Sequence, residues 1–286
     1  MTIRTVAVIG AGTMAHGIAQ AAAQAGCSVT LADAVPDAAA SGLARIRGNL
    51  EGAIQRGKLT AKERDEVLAR IAPHADPLAA VRGADLVVEA IPEQLDLKRD
   101  LFRTLGTQLG SSVVLASNTS SLSIGAIAAA TPYPERVIGM HFFNPVHIMK
   151  LVEIVVHAGT ASAPREAVVA LARAMGKEPI VVTDSPGFAS SRLGLALGLE
   201  AMRMLEAGVA SAEDIDTAMV LGYNHPMGPL RLTDLVGLDV RLAIARSLHA
   251  ALGSAVFQPP PILERMVAEG RLGRKSGRGF YTWADA

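Results

Sequence analysis

The stretch from Thr5 to Asp33 restricts the possible folds more than any other part of the chain. It contains a short apolar strand, TVAVIG, then a helical segment, TMAHGIAQAAAQAG, and then a second strand, CSVTLAD. Gly26 is well suited to end the helix, because glycine commonly occupies the position after a helical C-terminus. A strand, a helix and a second strand in this order predict a βαβ unit, and therefore a parallel sheet.

The turn between the first strand and the helix has the glycine spacing of a dinucleotide-binding loop. Gly10 and Gly12 follow the strand directly, and Ala15 occupies the third position, where glycine or alanine is found. Gly10 permits a tight turn, and Gly12 lets the backbone and the helix N-terminus approach a pyrophosphate. Thr13 and Met14 complete the predicted cofactor loop. The alternative is a glycine-rich turn that binds nothing.

Asp33 ends the second strand, where such folds carry an acid that binds the ribose hydroxyls. Its carboxylate would repel a 2′-phosphate, and the next residues, Ala34-Val35-Pro36, offer no basic side chain to receive one. We therefore expect NAD rather than NADP as the cofactor. The glycine fingerprint alone leaves FAD open.

Strands and helices continue to alternate up to Asp184. This pattern predicts a mostly parallel sheet with helices on both faces. The predicted helices and strands cover residues 37–56 (helix), 60–70 (helix), 84–91 (strand), 94–108 (helix), 112–116 (strand), 137–156 (a strand pair), 164–175 (helix) and 178–182 (strand).

The chain contains no convincing strand after Asp184. Ser185 and Pro186 predict the cap and first residue of a helix that runs to about residue 207, and Ser211 with Asp214 predicts a second capped helix. The sequence therefore predicts an α/β Rossmann-type domain over residues 1–184, followed by a smaller all-α domain over residues 185–286.

The overall charge and the single cysteine limit the partners and the setting of the protein. The 286 residues include 27 basic and 27 acidic side chains, so no overall field favours nucleic acid or a membrane surface. Cys27 stands alone, which excludes an intramolecular disulfide and fits a cytoplasmic protein. No apolar run in the early uncharged stretch approaches the ~20 residues of a membrane span. The spacing of histidines and acids predicts no metal site.

Residues 139–155, GMHFFNPVHIMKLVEIV, place two ionisable side chains among β-forming residues. His141 lies in the first apolar run and Glu153 in the second, with a turn around Asn144-Pro145 between them. If the two runs are neighbouring strands, the imidazole and the carboxylate can meet. The residues alone leave two interpretations open, a structural pair in the core and an acid/base pair.

Several longer motifs are similar to those of the 3-hydroxyacyl-CoA dehydrogenase family, in order and over essentially the whole chain. They are the glycine loop, VVEAIPE, SNTSSLSI, HFFNPVHIMKLVEIV, DSPGF and NHPMGPLRLTDLVGLD. The nearest likeness is to the short, single-function 3-hydroxybutyryl-CoA dehydrogenases. The resemblance implies a Rossmann-type NAD domain, a helical domain that mediates homodimerisation, and NAD-dependent interconversion of (S)-3-hydroxyacyl-CoA and 3-oxoacyl-CoA.

The resemblance also implies roles for the polar residues near the predicted strand pair. His141 would take the proton from the substrate 3-hydroxyl, and Glu153 would hold the other imidazole nitrogen and stabilise the imidazolium. Ser120 matches a serine near the substrate oxygen and the nicotinamide, although a strand-to-helix cap is its alternative. Asn144 matches an asparagine near the nicotinamide, although asparagine before proline is also a good turn residue.

Three charged residues match family positions that line the cofactor. Glu93 and Lys98 follow VVEAIP, where the sequence alone would suggest a solvated helix start. Lys275 lies in GRKSGRGFY and matches a lysine that reaches the cofactor region, with a flexible basic tail as its alternative.

The expected acyl-CoA contacts have the least support from the sequence. Ser191 stands where family members often carry an asparagine near the thioester, and the change leaves its role open. Arg56 and Lys58, in the helical region after the second strand, could meet the phosphate-bearing end of CoA. Such residues are more often an ordinary solvated face.

Two other functions fit the same motifs. A dehydrogenase of a free hydroxy acid would need no basic residues for CoA. An NAD-binding protein with a structural role, as in the lens crystallins derived from this family, could lose His141 and Glu153 at no cost. Both residues are present here.

Overall fold

One eight-stranded sheet organises the N-terminal part of the chain in the computed structural model, which describes residues 1–284. The strands are β1 (Thr5–Ile9), β2 (Ser28–Ala32), β3 (Ile71–His74), β4 (Leu86–Glu89), β5 (Val114–Ser117), β6 (Val137–Phe142), β7 (Leu151–Val156) and β8 (Glu178–Thr183). Their order in the sheet is β3-β2-β1-β4-β5-β6-β7-β8. All neighbouring pairs are parallel except β6 and β7, which are antiparallel.

Seven helices accompany this sheet: α1 (Thr13–Gln24), α2 (Ala38–Gln55), α3 (Ala61–Ala69), α4 (Pro77–Ala80), α5 (Leu95–Gln108), α6 (Ile124–Ala128) and α7 (Ser162–Ala174). Every residue of β4, β5 and β6 is buried. Complete burial is typical of parallel strands that are covered on both faces. The central strands are therefore a rigid base, and the loops at their ends can carry functional groups.

The chain from residue 186 onward forms a second compact unit, which is helical. Its helices are α8 (Ser190–Glu206), α9 (Ala212–Tyr223), α10 (Pro229–Val236), α11 (Leu238–Leu252) and α12 (Pro261–Ala268). Within residues 186–284, β-structure is limited to isolated bridges around Arg278. The predicted fold class, a Rossmann-type α/β domain followed by a smaller helical domain, is confirmed.

The two compact units divide between Ser185 and Pro186, whereas the sequence predicted a boundary one residue earlier. The predicted start of the first C-terminal helix is wrong. The helix begins at Ser190, because Gly187 and Phe188 have φ angles of 76° and 48°, which a right-handed helix does not accommodate.

The cap predicted for the next helix is confirmed, since the Ser211 hydroxyl accepts a hydrogen bond from the Asp214 amide at 3.1 Å. The sequence prediction missed β3, a short edge strand that contains Pro73. Proline gives little strand signal, although it is tolerated at a sheet edge. Of the helices within residues 1–284, none combines the length and the apolar character that crossing a membrane requires.

Candidate active site

The glycine loop lies between β1 and α1, and its two glycines meet different demands. Gly10 has a φ angle of 102°, and a Cβ atom there would lie 2.6 Å from the carbonyl oxygen of Ala90. The fold itself therefore requires glycine at this position. A Cβ atom on Gly12 would meet no protein atom within 4 Å, so packing does not require glycine there. The open space faces the start of α1, where a pyrophosphate would bind, and the loop fits a dinucleotide.

Asp33 holds this loop against the end of β2. Its Oδ2 atom accepts a hydrogen bond from the Ala11 amide at 2.8 Å, and its Oδ1 atom accepts one from the Val35 amide at 2.9 Å. Each carboxylate oxygen can accept a further hydrogen bond. The side chain can therefore fix the loop and still bind ribose hydroxyls.

A cleft of about 900 Å³ opens beside the glycine loop in the first unit. It lies at the carboxyl ends of the strands, where open α/β sheets bind their ligands. The structure brings most of the site residues expected from the sequence to its walls: Gly10, Gly12, Thr13, Met14, Asp33, Glu93, Lys98, Ser120, His141 and Asn144.

His141 and Glu153 are direct cross-strand partners on β6 and β7. The Nδ1 atom of His141 lies 2.7 Å from Oε2 of Glu153, and both side chains are buried. Because a carboxylate only accepts hydrogen bonds, this contact favours the tautomer with the proton on Nδ1 and leaves Nε2 as the basic nitrogen. The Phe143 ring, with its centroid 4.5 Å from that of the imidazole, packs beside the pair. The arrangement can accept a proton at Nε2 and stabilise the resulting charge.

Lys98 is buried, contrary to the solvated helix start that the sequence alone suggested. Its exposed fraction is 1%. The ammonium donates a hydrogen bond to Glu89 and lies 3.3 Å from Oε2 of Glu93. Three charged groups thus meet where β4 leads into α5. A buried charge of this kind is tolerated when it is paired and hydrogen-bonded.

Glu93 connects this buried lysine to the serine-rich loop after β5. Its Oε1 atom accepts hydrogen bonds from the Thr119 hydroxyl at 2.5 Å and from the Ser120 amide at 2.9 Å. Burial alone would raise the pKa of the Glu93 carboxyl. The hydrogen bond from Thr119 and the charge of Lys98 outweigh burial, so the pKa lies below its ordinary value. Glu93 is therefore ionised near neutral pH, and it fixes the backbone at Ser120.

Two polar residues of this region, Glu89 and Asn118, escaped the sequence prediction. Glu89 ends β4 and is fully buried, and its Oε2 atom accepts a hydrogen bond from the Ser117 hydroxyl at 2.6 Å. The available signal was a single ionisable residue in an apolar strand, which is the same signal that singled out His141 and Glu153. Asn118 lines the cleft, and its Oδ1 atom accepts a hydrogen bond from the Phe142 amide at 3.0 Å.

Lys177 is a further buried cation that the sequence did not reveal. Its ammonium donates to the carbonyl oxygens of Val146 and Met149 in the loop between β6 and β7, the latter at 2.8 Å. Burial lowers the pKa of this lysine. The contacts hold the loop that follows Asn144.

The remaining predicted site residues lie outside the lining of the cleft. Arg56 follows α2 directly and Lys58 lies two residues further on, and both are exposed. Ser191 is in the first turn of α8, and the Lys275 ammonium pairs with Asp239 at 2.6 Å, both within the second unit. Within residues 1–284, no group of three or more histidines, cysteines or acids is arranged to hold a metal ion.

Comparisons with known proteins agree with this geometry. Residues 5–185 match the model of the 3-hydroxyacyl-CoA dehydrogenase NAD binding domain, and residues 187–283 match that of the 3-hydroxyacyl-CoA dehydrogenase C-terminal domain.

Named relatives match over nearly the whole chain. A probable 3-hydroxybutyryl-CoA dehydrogenase of Bacillus subtilis is 46% identical over 285 residues, which cover 100% of this chain and 99% of the relative. A 3-hydroxyadipyl-CoA dehydrogenase of Escherichia coli is 43% identical over 99% of this chain, which spans 60% of that longer protein. The crystal structure of (S)-3-hydroxybutyryl-CoA dehydrogenase from Ralstonia eutropha superposes with a TM-score of 0.95, at 42% identity, over 99% of this chain and 100% of the other. The protein therefore belongs to the 3-hydroxyacyl-CoA dehydrogenase family and is an NAD-dependent enzyme of that family.

Proposed function

We propose that the protein interconverts (S)-3-hydroxyacyl-CoA and 3-oxoacyl-CoA, with 3-hydroxybutyryl-CoA as the principal substrate. The observation that carries this proposal is the buried His141–Glu153 pair, with 2.7 Å between Nδ1 and Oε2, on the wall of the NAD cleft. The names of the full-length relatives support a short acyl chain.

In the proposed reaction, His141 is the base. Its Nε2 atom accepts the proton of the substrate 3-hydroxyl while Glu153 keeps the other proton on Nδ1 and stabilises the imidazolium. NAD, when bound, supplies the hydride acceptor. In the reverse direction the imidazolium returns its proton to the substrate oxygen. Because Glu153 is buried, water screens its interaction with the imidazolium poorly.

Other residues of the cleft would orient the reacting groups. Ser120 is proposed to donate a hydrogen bond from its hydroxyl to the substrate oxygen, in place of its long 3.3 Å contact with Oε1 of Glu93, while its amide keeps the loop fixed to Glu93. Asn144, which follows the catalytic strand, is proposed to contact the nicotinamide end of the cofactor.

The residues proposed to hold NAD surround the same cleft. The glycine loop, with Thr13 and Met14, would bind the pyrophosphate, and Asp33 would bind the ribose hydroxyls. Glu93 and Lys98 would line the nicotinamide end. Lys275, a residue of the helical unit, is proposed to contribute to cofactor binding.

The helical domain is proposed to contribute to substrate binding and to mediate homodimerisation, and the protein is proposed to be cytoplasmic. Ser191 would lie near the thioester, and Arg56 and Lys58 would meet the phosphate-bearing end of CoA. Leu221 and Tyr223 on α9 are 80% and 74% exposed. Apolar side chains this exposed support an interface between copies of the chain.

The function is tested by NADH oxidation with acetoacetyl-CoA, 3-oxoadipyl-CoA and free acetoacetate. We expect turnover with acetoacetyl-CoA, a weaker reaction with 3-oxoadipyl-CoA, and none with the free acid. His141→Ala should reduce turnover severely while leaving a residual rate. His157→Ala should not reduce turnover, because that histidine follows β7 and lies outside the cleft lining.

A different experimental result would overturn each part of the proposal. Preference for 3-oxoadipyl-CoA would overturn the short-chain assignment but not the reaction. Turnover with free acetoacetate alone would make the protein a hydroxy-acid dehydrogenase. Full activity of the His141→Ala variant would remove the proposed base.

A further inference from the structure

Two carboxylates and one ammonium form a connected group beside the cleft, which we call the Glu89 cluster: Glu89, Glu93 and Lys98. Glu89 is fully buried and accepts hydrogen bonds from three donors, which are the Lys98 ammonium, the Ile91 amide at 2.8 Å and the Ser117 hydroxyl at 2.6 Å. A carboxyl group that only accepts hydrogen bonds has no proton of its own to donate, so this pattern indicates an ionised Glu89.

Glu93 shows the same pattern of contacts. Its neighbours are the ammonium of Lys98, the hydroxyls of Thr119 and Ser121, and the amide of Ser120. All of them are donors, so the second carboxylate is ionised too. Two negative charges therefore face a single positive charge, and the Glu89 cluster carries a net charge of −1.

No other cation lining the cleft balances this charge. Among the described residues that line it, Lys98 is the one lysine or arginine, and Asp33 adds a further carboxylate near the glycine loop. The described wall of the cleft therefore carries a net negative charge. Glu89 and Lys98 are buried, which limits the solvent screening of their charges, whereas the Glu93 side chain is 38% exposed and is screened more strongly.

The sheet places this cluster near the proposed catalytic strand. Glu89 pairs in register with Ser117 on β5, and Ser117 pairs with Gly139 on β6, two residues before His141. Neighbouring strands lie about 4.8 Å apart, so Glu89 is two strands, or roughly 10 Å, from the strand that carries the base. The proposed reaction requires the nicotinamide ring within reach of that base.

We propose that the Glu89 cluster makes the cleft discriminate between the two redox forms of the cofactor, with Glu89 as the positioning residue that holds Lys98 and supplies the excess charge. The nicotinamide ring is cationic in NAD⁺ and neutral in NADH, so the cluster attracts the oxidised ring alone. This inference rests on the proposed function, because that function places the ring beside His141.

The size of the effect follows from Coulomb's law. One unit charge roughly 10 Å from the ring, at an effective dielectric constant of about 20, changes the relative affinity for the two forms on the order of tenfold. If Glu89 had only a structural role, its replacement would instead weaken the binding of NAD⁺ and of NADH equally, because the two forms differ in the ring and share the rest of the molecule.

The test is equilibrium binding of NAD⁺ and of NADH to the full-length protein, by calorimetry, with the ratio of the two Kd values as the readout. Glu89→Gln should raise the ratio Kd(NAD⁺)/Kd(NADH) about tenfold. Glu93→Gln should move it in the same direction. Ser117→Ala removes a hydrogen bond to Glu89 without changing the charge, and it should leave the ratio within twofold of the wild-type value.

Glu93 is partly exposed, so its variant decides the question if Glu89→Gln does not fold. An unchanged ratio in Glu93→Gln overturns the proposal, and so does an equal change in Ser117→Ala. Because no substrate is present, the outcome is independent of the turnover assay. An unchanged ratio alongside normal oxidation of NADH by acetoacetyl-CoA would refute the redox discrimination alone.

Discussion

Replacing Glu153 by glutamine tests the acid/base pair with the smallest change in shape. Glutamine keeps nearly the same volume in a fully buried position, so the fold should tolerate it. It removes the negative charge 2.7 Å from Nδ1 of His141 and replaces one oxygen by a donor group. A side-chain amide that donates to Nδ1 would leave the imidazole proton on Nε2, where it blocks acceptance of the substrate proton.

The expected loss can be worked out from the distance. Charge centres of an imidazolium and a carboxylate in such a contact lie about 4 Å apart, which corresponds to about 4 kcal/mol at an effective dielectric constant of 20. Because each 1.36 kcal/mol of barrier is a factor of ten in rate, kcat should fall about 10³-fold. The loss belongs to the charged state formed during proton transfer, so KM for (S)-3-hydroxybutyryl-CoA should change little.

The assay is steady-state reduction of NAD⁺ by saturating (S)-3-hydroxybutyryl-CoA, with His141→Ala and the double variant measured alongside. If the two residues act as a unit, the double variant should be no slower than His141→Ala alone. Unchanged NADH affinity and melting temperature would exclude a general defect. A kcat for Glu153→Gln within threefold of the wild-type value, or fully additive losses in the double variant, would refute the pair mechanism.

Three further predictions concern the cofactor loop, the pH dependence of stability and the assembly. Gly10→Ala should lower the free energy of unfolding by about 2 kcal/mol or more, because Gly10 has a positive φ and a Cβ atom there would contact Ala90. Gly12→Ala should leave the free energy of unfolding nearly unchanged and should raise the Kd for NADH by roughly tenfold or more. Urea unfolding and NADH titration of both variants check this pair, and equal losses of stability would contradict it. The lowered pKa of Glu93 means that its ionised form stabilises the fold above the ordinary value of 4.5, and that this contribution is lost as the pH falls through the lower folded value. Glu93→Gln should thus be less stable than the wild type at pH 7. Urea titrations should find that this difference in stability shrinks below about pH 4.5, and a difference that grows on acidification would contradict the lowered pKa of Glu93. Leu221→Asp should convert the proposed homodimer into monomers, as measured by light scattering, while the exposed Lys62→Asp variant should stay dimeric.

The features that the sequence predicted well are those encoded by a pattern within a short stretch of the chain. The βαβ unit with Gly10, Gly12 and Asp33 is encoded within about thirty residues, and the turn, the helix start and the strand end each have their own signal. The cross-strand contact of His141 and Glu153 could be expected for the same reason, since a short loop joins their strands.

The parts that escaped prediction depend on contacts distant in sequence. Lys98 looks solvated in its own segment, and only its position beside Glu89 on the preceding strand explains its burial. Phe188 has a positive φ that the sequence does not signal, and so Ser185-Pro186 resembles a helix start that the chain does not use. Tertiary packing decides these positions, and local propensity does not.

The two hydrogen bonds of Asp33 bear on any attempt to redesign the enzyme for NADP. Exchanging the acid for a small or basic residue would remove the negative charge that opposes a 2′-phosphate. It would also strip the Ala11 and Val35 amides of their acceptor and release the loop that must cradle the pyrophosphate. A successful change of coenzyme therefore needs a residue at position 33 that is uncharged and still accepts a hydrogen bond from that loop, and a basic residue elsewhere to receive the phosphate. A serine or asparagine at position 33, paired with a basic residue at position 34, is the simplest starting design.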